Sequence, residues 1–132
     1  MHFEHFAMNV AEPVAMARWY CEHLGLTARV AKTDAPPYVH FLADASGRVV
    51  MEMYHNPACP VPDYANEDPL RFHFAFVSTD VEADKARLLT AGATPCKDEV
   101  LADGSRVVTL RDPWAVPVQL VRRTTPFDGS GR

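Results

Sequence analysis

The chain opens with a stretch in which apolar residues recur at every second position. In HFEHFAMNV (2–10), Phe6, Met8 and Val10 share one face, while His5 and Ala7 lie on the other. This period of two predicts a β-strand with one face packed on a core.

A helical pattern follows in EPVAMARWYCEHLG (12–25). Proline is favoured in the first turn of a helix, as at Pro13, and glycine just past its end, as at Gly25. The spacing predicts one apolar stripe, formed by Val14, Ala17, Tyr20, Cys21 and Leu24.

Three short apolar runs complete the first half and predict strands. They are LTARVAK (26–32), YVHFLAD (38–44) and RVVMEMYH (48–55), the last two joined across 45–47. The predicted element order is therefore βαβββ, over a first module of residues 1–56. Prolines at 57, 60, 62 and 69 then exclude an inner strand or helix, which predicts a linker over 57–69.

The same order recurs after the linker, in a second module of residues 70–123. RFHFAFVS (71–78) predicts a strand and TDVEADKARLLTAG (79–92) a helix, with Asp80 as its N-cap. Three more strands are predicted at ATPCKDEV (93–100), SRVVTLRD (105–112) and VPVQLVRR (116–123), with a hairpin turn at Asp103-Gly104. Residues 124–132 are expected to form a loose tail. The fold class is α+β with an internal duplication.

The duplication aligns four polar residues. The tripeptide HFA occurs at His5 and again at His73, 68 positions later. Glu52 follows His5 by 47 positions and Gln119 follows His73 by 46, and each interrupts the middle of an apolar strand. A single strand histidine is usually a surface or hydrogen-bonded residue, so the paired spacing is what matters.

Two imidazoles, a carboxylate and an amide oxygen together form a donor set for a divalent metal. An unpartnered carboxylate inside a strand is costly, and a metal ion would compensate Glu52. The set suits zinc, nickel, cobalt, manganese or iron. His40 and Tyr54 are weaker candidates for lining the same concavity, as substrate-binding residues or as a second base beside Glu52.

Charge and composition limit the classes of binding partner that the chain is expected to have. The formal net charge is −4 and no Lys/Arg cluster occurs, so a nucleic-acid role has no support. No apolar run approaches membrane-spanning length, and three widely spaced cysteines do not form a disulfide or zinc pattern. We therefore expect a cytoplasmic protein that acts on a small molecule.

At these residues the chain resembles the vicinal oxygen chelate superfamily, which includes glyoxalase I, extradiol dioxygenases and the fosfomycin- and bleomycin-resistance proteins. The similarity runs from about Phe3 to Arg122, through HFAMNVAEPVAMARWYCEHLGL, VVMEMYHNP, RFHFAFVSTDVEADKARLLTAGA and LRDPWAVPVQLV. It implies a single glyoxalase-like domain over residues 1–123. Its two βαβββ modules would form a half-open mixed β-barrel with the helices outside, and His5, Glu52, His73 and Gln119 would be the metal ligands.

The ligand types depart from the family's patterns in an informative way. Glyoxalase I-like and dioxygenase-like members take their carboxylate from the fourth place, where this chain has Gln119. Members that resemble methylmalonyl-CoA epimerase use the same four ligand types but have the amide in the first module. In this chain the amide, Gln119, is in the second module and the carboxylate, Glu52, is in the first. The turn DPWA (112–115) also replaces the family's common DPDG.

Three functions remain open from the sequence. The first is a metal-dependent lyase or isomerase that chelates a small oxygenated substrate and stabilises an enolate-like anion, with Glu52 as the catalytic residue. The second is an iron-dependent dioxygenase that uses His5, Glu52 and His73. The third is a metal-free binding protein of the bleomycin-resistance type, with aromatic residues around its ligand: Tyr38, Phe41, Tyr54 and Trp114. The resemblance also implies a homodimer, with modules paired within one chain or between two.

Overall fold

The computed structural model describes residues 1–127. The chain divides into two compact units, the first spanning Met1–Pro62 and the second beginning at Asp63. The division falls inside the predicted Pro-rich linker. The predicted tail over 124–132 lies outside the described residues from position 128 onward.

The first unit contains one helix and a four-stranded mixed sheet. Its elements are β1 (Phe6–Asn9), α1 (Pro13–Leu24), β2 (Thr27–Ala31), β3 (His40–Ala43) and β4 (Val49–Tyr54). The strand order is β1-β4-β3-β2, in which β1 and β4 are parallel and the other pairs are antiparallel.

The second unit repeats this arrangement after a short 3₁₀ turn at Tyr64–Asn66. Its elements are β5 (Phe74–Val77), α2 (Val81–Thr90), β6 (Thr94–Val100), β7 (Arg106–Arg111) and β8 (Pro117–Arg122). The order β5-β8-β7-β6 again has one parallel pair, β5 with β8. The prediction of an α+β protein built from two βαβββ modules is confirmed.

The two helices begin and end where the sequence indicates. Pro13 opens α1 and Gly25 follows it in the left-handed conformation at φ 69°, while the Asp80 side chain accepts a hydrogen bond from the Ala83 amide at the start of α2. Among residues 1–127, no helix is both long and apolar enough to cross a membrane.

The predicted apolar stripe of α1 needs a correction. Ala17 and Tyr20 are buried as expected, but Met16 and Trp19 are also buried, whereas Val14, Cys21 and Leu24 are only partly covered. The buried face is therefore centred about one residue away from the predicted stripe. The helix packs against β2, β3 and β4, whose fully buried residues include Leu42, Met51 and Met53.

The last two strands of each module are joined by the same turn. In the first, Gly47 donates its amide to the Asp44 carbonyl at 2.9 Å, and the Asp44 carboxylate accepts from the Ser46 amide. In the second, Ala115 donates to the Asp112 carbonyl at 2.9 Å, and the Asp112 carboxylate accepts from the Trp114 and Val116 amides. Aspartate thus fixes both turns through its side chain.

The Pro-rich segment is held to the module on each side of it. The Asn9 amide nitrogen donates to the Asn56 and Cys59 carbonyls at 3.1 and 2.8 Å. Downstream, the Arg111 guanidinium donates to the Tyr64 and Glu67 carbonyls, each at 2.8 Å, and to the Ala115 carbonyl at 3.0 Å. Main-chain carbonyls with no partner in a ladder are satisfied in this way.

Candidate metal-binding residues

The two predicted ligands on the fourth strands occupy the same place in their sheets. In the first module Glu52 pairs with Ala7 on β1, and in the second Gln119 pairs with Ala75 on β5. Cross-strand partners project to the same face of a sheet. Glu52 and Gln119 therefore lie on equivalent faces, beside the small residue that follows each predicted histidine ligand by two positions.

His5 and Glu52 are brought together in the first module. His5 Nε2 lies 3.3 Å from Glu52 Oε2, and the two side chains are 27% and 19% exposed. The His5 ring also packs edge-on against Phe41 at 5.2 Å between centroids, and Phe41 is the cross-strand partner of Glu52 on β3. The sheet and one aromatic ring thus fix both donors on one face.

In the second module, His73 is oriented by a main-chain carbonyl. Its Nδ1 lies 2.6 Å from the Pro69 carbonyl oxygen, which only accepts hydrogen bonds, so Nδ1 carries the proton. In the neutral imidazole this bond selects the tautomer in which Nε2 has no proton and can act as a metal ligand. A histidine that binds metal usually donates its other ring N–H to a carbonyl or carboxylate, and His73 has this arrangement.

Gln119 is held by a residue that sequence reasoning missed. Its Nε2 donates to Thr109 Oγ1 at 3.2 Å, and Thr109 is its cross-strand partner on β7. The amide nitrogen is engaged, so the carbonyl oxygen Oε1 is the atom presented for an electrophile or metal. Thr109 is the one uncharged polar residue in RVVTLR, and this interruption of an apolar strand is the sequence signal that could have identified it.

His40 does not join this set. It pairs with Met53, is only 4% exposed, and its Nδ1 donates to the Tyr38 carbonyl at 2.8 Å. Because Glu52 and Met53 are neighbours on β4, His40 lies on the opposite, fully buried face of the sheet. The expectation that His40 lines the same concavity as Glu52 is therefore corrected. Tyr54 follows Glu52 by two positions and lies on the Glu52 face.

The donor types and the spacing of the first pair fit a divalent ion. Two atoms that are each about 2.1 Å from one ion are about 3.0 to 3.4 Å apart when the angle at the ion is 90 to 109°. The His5 and Glu52 atoms are 3.3 Å apart. Over residues 1–127, however, no group of three or more His, Cys, Asp or Glu side chains lies together as a metal site. Each module offers one histidine with one oxygen donor.

The largest pKa shifts lie elsewhere, in a charged network of the second module. Hydrogen bonds from Arg106 and then Lys85 hold the pKa of Asp98 well below its ordinary value. Lys85 Nζ and Arg106 Nη2 both lie 2.8 Å from Asp98 Oδ2, and Arg106 also pairs with Glu82. This network joins α2 to β6 and β7.

Comparisons with known proteins agree with this architecture. The sequence profile of the glyoxalase-like domain family matches residues 5–121. No protein of curated function matches the sequence.

Many solved structures are similar to the chain. A glyoxalase/bleomycin resistance protein from Streptomyces sp. CB03234 is 17% identical with a TM-score of 0.65, covering 92% of this chain and 100% of the other. TnmS3, an antibiotic binding protein from the same organism, is 18% identical with a TM-score of 0.68, covering 91% and 93%. Lactoylglutathione lyase from Agrobacterium tumefaciens is 17% identical with a TM-score of 0.63, covering 91% and 92%.

At these identities the likeness establishes the fold, which is glyoxalase-like. The family profile covers nearly the whole chain, from His5 through the strand that carries Gln119. The chain therefore belongs to the glyoxalase-like domain family.

Proposed function

We propose that this chain is a divalent-metal-dependent enzyme of the lyase or isomerase type that acts on a small oxygenated substrate. The observation that carries the proposal is the shared register of the two modules, which sets Glu52 beside Ala7 and Gln119 beside Ala75. A histidine precedes each of these alanines by two positions. His5, Glu52, His73 and Gln119 would be the metal ligands.

Local contacts orient two of the four donors for this role. In the neutral imidazole, the bond from His73 Nδ1 to the Pro69 carbonyl leaves Nε2 as the acceptor, and the bond from Gln119 Nε2 to Thr109 leaves Oε1 available. When bound, the ion would polarise vicinal substrate oxygens and stabilise an enolate-like anion.

Glu52 is the proposed catalytic residue, because it is the only carboxylate of the four donors. The carboxylate oxygen of Glu52 that does not bind the metal would hold the proton removed from the carbon next to the substrate carbonyl. Tyr54, two positions along on the same face, is the remaining candidate for contacting substrate. Gln119 cannot take a proton at neutral pH, so it would act as a ligand alone.

A metal-free binding protein is the second candidate. It is favoured by the observation that, among the described residues, the carboxylates, thiols and imidazoles form no group of three or more suited to a metal. One structural neighbour is itself an antibiotic binding protein. On this alternative, His5 and Glu52 make an ordinary contact between partly exposed side chains.

Metal titration of the purified protein separates the two. After treatment with chelator, calorimetric titration with nickel, zinc, manganese and ferrous iron is expected to give saturable binding. His5→Ala and His73→Ala should each weaken the affinity by at least about 100-fold, since a direct ligand matters more than an outer-shell partner worth about 10 to 100-fold. His23→Ala, a histidine on α1 outside the donor set, is the matched control and should bind like the parent.

Three outcomes are informative. Parent-like affinity in both His→Ala variants would exclude the proposed ligand set. If none of the four metals binds, the binding-protein alternative is favoured. Binding and oxygen uptake with ferrous iron alone would favour the dioxygenase variant that uses His5, Glu52 and His73.

The chemistry has its own test. With metal bound, the parent should exchange the proton next to the carbonyl of a 2-hydroxy-ketone or thiol–2-oxoaldehyde adduct for deuterium, followed by NMR. Glu52→Gln should abolish this exchange. We also propose a homodimer, and a monomeric mass by light scattering at micromolar concentration would count against it.

A further inference from the structure

A β-bulge in the outer strand of the second unit places a lysine on the sheet face that carries Gln119. In β6 the register shifts before Lys97, which pairs with Thr109, and Cys96 is the extra residue. In an unbroken ladder Cys96 would pair with Thr109, and Lys97 would project from the opposite face. Because Thr109 is also the cross-strand partner of Gln119, the bulge brings Lys97 to the face of the candidate donor.

The pairings define a row of four side chains across this sheet. The successive cross-strand partners on β5, β8, β7 and β6 are Ala75, Gln119, Thr109 and Lys97. Neighbouring strands lie about 4.8 Å apart, so the main chains at Gln119 and Lys97 are about 10 Å apart. The flexible four-carbon stem of a lysine can span part of this distance toward a small ligand held at Gln119.

The same bulge occurs in the first unit, but without the lysine. There the register shifts around Arg29 of β2, 67 positions before the extra residue of β6. Val30 pairs with Phe41, which is itself the partner of Glu52. Val30 therefore occupies the place that Lys97 has in the second unit. Since bulges redirect side chains and are frequent beside active sites, the exchange of an apolar residue for a cation at this place points to a ligand.

The Lys97 ammonium group is accessible to a ligand. Its Nζ lies 2.6 Å from Glu99 Oε1, and the two side chains are 62% and 38% exposed. An ion pair this exposed contributes little stability, so a ligand can replace or share its partner. Arg111 is the other lysine or arginine among the strand residues described on this face, and it donates to three main-chain carbonyls instead. Lys97 is therefore the cation of this face that is suited to bind an anion.

We infer that Lys97 is a specificity-determining residue, which binds a carboxylate at the end of the substrate farthest from Gln119. The inference rests on the proposed function, because that function places the other end of the substrate near Gln119. A carboxylate carries a single charge, which suits one ammonium group beside Glu99. A phosphate monoester carries about 1.5 to 2 charges at pH 7, and Glu99 would repel it more strongly. The substrate class is thus a small oxygenated compound with a distal carboxylate.

A pair of matched probes tests for recognition of the distal carboxylate. 2-Oxoglutarate and 2-oxopentanoate share the same 2-oxo acid end, but the first ends in a carboxylate and the second in a methyl group. Calorimetric titration of the full chain saturated with manganese should give at least about tenfold tighter binding of 2-oxoglutarate, as one charge-assisted hydrogen bond provides. In EDTA both probes should bind more weakly, with the preference for 2-oxoglutarate retained.

Variants assign the preference to one side chain. Lys97→Met should weaken 2-oxoglutarate binding at least about tenfold, while 2-oxopentanoate and manganese affinities stay within about twofold of the parent. Lys97→Arg keeps the charge and should retain most of the preference. Glu99→Gln should tighten 2-oxoglutarate binding by about two- to fivefold, because a competing carboxylate is lost. Lys32→Met removes an exposed lysine of the first unit and is the matched control, expected to behave like the parent.

The outcomes separate this inference from the proposed function. If the parent bound no manganese, the proposed metal site would be rejected, and the titrations in EDTA would decide the role of Lys97 by themselves. Equal affinities for the two probes, or no binding of 2-oxoglutarate with or without manganese, would overturn that role. An unchanged preference in Lys97→Met would overturn it as well. So would a loss of manganese affinity in Lys97→Met, since the side chain would then act through the metal donors.

Discussion

The two modules have the same main-chain framework but attach their helices differently. Asp44 and Asp112 lie 68 positions apart and make the same turn, and Glu12 and Asp80, also 68 apart, precede the two helices. Yet α1 buries five residues, whereas α2 buries only Val81 and Leu88.

Charged and capping contacts supplement the apolar surface of α2. Its N-cap accepts a hydrogen bond that Glu12 does not make for α1, and Lys85 and Glu82 tie it to the Asp98–Arg106 pair. The two modules therefore share strand register and turn geometry, while the side chains that attach each helix to its sheet differ.

Removing the main apolar contact of α2 should have the largest effect. Leu88 is 1% exposed and is equivalent to Tyr20 of α1, 68 positions earlier. Leu88→Ala should lower the free energy of unfolding by about 2 to 5 kcal/mol, since a buried cavity would form. Urea denaturation measures the change. Leu89→Ala, a half-buried neighbour, is the control and should cost clearly less; equal losses would contradict the assigned face.

The second-largest effect is expected when the carboxylate and amide donors are exchanged between the modules. Glu52→Gln should weaken divalent-metal affinity by about 10 to 100-fold, about 1.4 to 2.7 kcal/mol, because the charged ligand is lost. Adding Gln119→Glu should restore part of the affinity, since the equivalent register places the carboxylate beside Ala75 and Thr109 can donate to it. Calorimetry measures both; no recovery in the double variant would argue against equivalent donor positions.

The helix caps provide the third comparison. Asp80→Ala removes the bond to the Ala83 amide and should cost about 1 kcal/mol in the free energy of unfolding. Glu12→Ala should change it by less than about 0.5 kcal/mol, since Glu12 makes no side-chain capping bond. Chemical denaturation of both variants is the measurement, and equal losses would show that the caps are equivalent after all.

The equivalent turns of the two modules allow a reciprocal pair of substitutions, Gly47→Ala and Ala115→Gly. Gly47 has φ 83° and Ala115, its counterpart, has φ 67°, a conformation that costs an L-residue about 1 kcal/mol or more. Gly47→Ala should therefore destabilise by about 1 kcal/mol, although a Cβ there would meet only ordinary contact with Arg29 at 3.5 Å. Ala115→Gly should raise the melting temperature slightly. A loss of stability in Ala115→Gly would show that side-chain contacts outweigh the backbone strain.

The smallest expected effect is a loss of folding stability that appears only in acid. Hydrogen bonds from Arg106 and Lys85 lower the pKa of Asp98 in the folded state. The stabilisation is therefore complete above the unfolded-state pKa of about 4 and is lost as the pH falls through the lower folded value. The stability advantage of the parent over Asp98→Asn should be constant from pH 7 to 5 and shrink toward pH 2. Urea titrations across this range measure it, and an advantage that grew in acid would refute the assignment.

Much of the fold was predictable from local patterns. The alternation of apolar residues predicted the strands. The ends of the helices were predicted from Pro13, Gly25 and Asp80, and the structure confirms them. The face of α1 was misplaced because Met16 and Trp19 fall outside the stripe chosen, although both are large and apolar. Periodicity alone does not decide which edge of a wide apolar stripe faces the sheet.

The candidate donors were predictable from spacing, but their surroundings were not. The His5–Glu52 contact follows from a parallel strand pair, which the shared spacing anticipates. The bonds from His73 to Pro69 and from Gln119 to Thr109 depend on a turn geometry and an antiparallel register that no local pattern encodes. The sheet face of His40 was predicted wrongly because the register of its strand relative to Glu52 cannot be read from the sequence pattern.

The contacts made by Asn9 and Arg111 determine where the chain can be opened for engineering. Asn9 secures the backbone through Cys59 and Arg111 secures it from Tyr64, which leaves the short run from Pro60 to Asp63 without either support. A split protein or a peptide insertion for a sensor should therefore be placed between these positions. Moving the break only a few residues to either side would remove one of the two anchors and expose unpaired carbonyls.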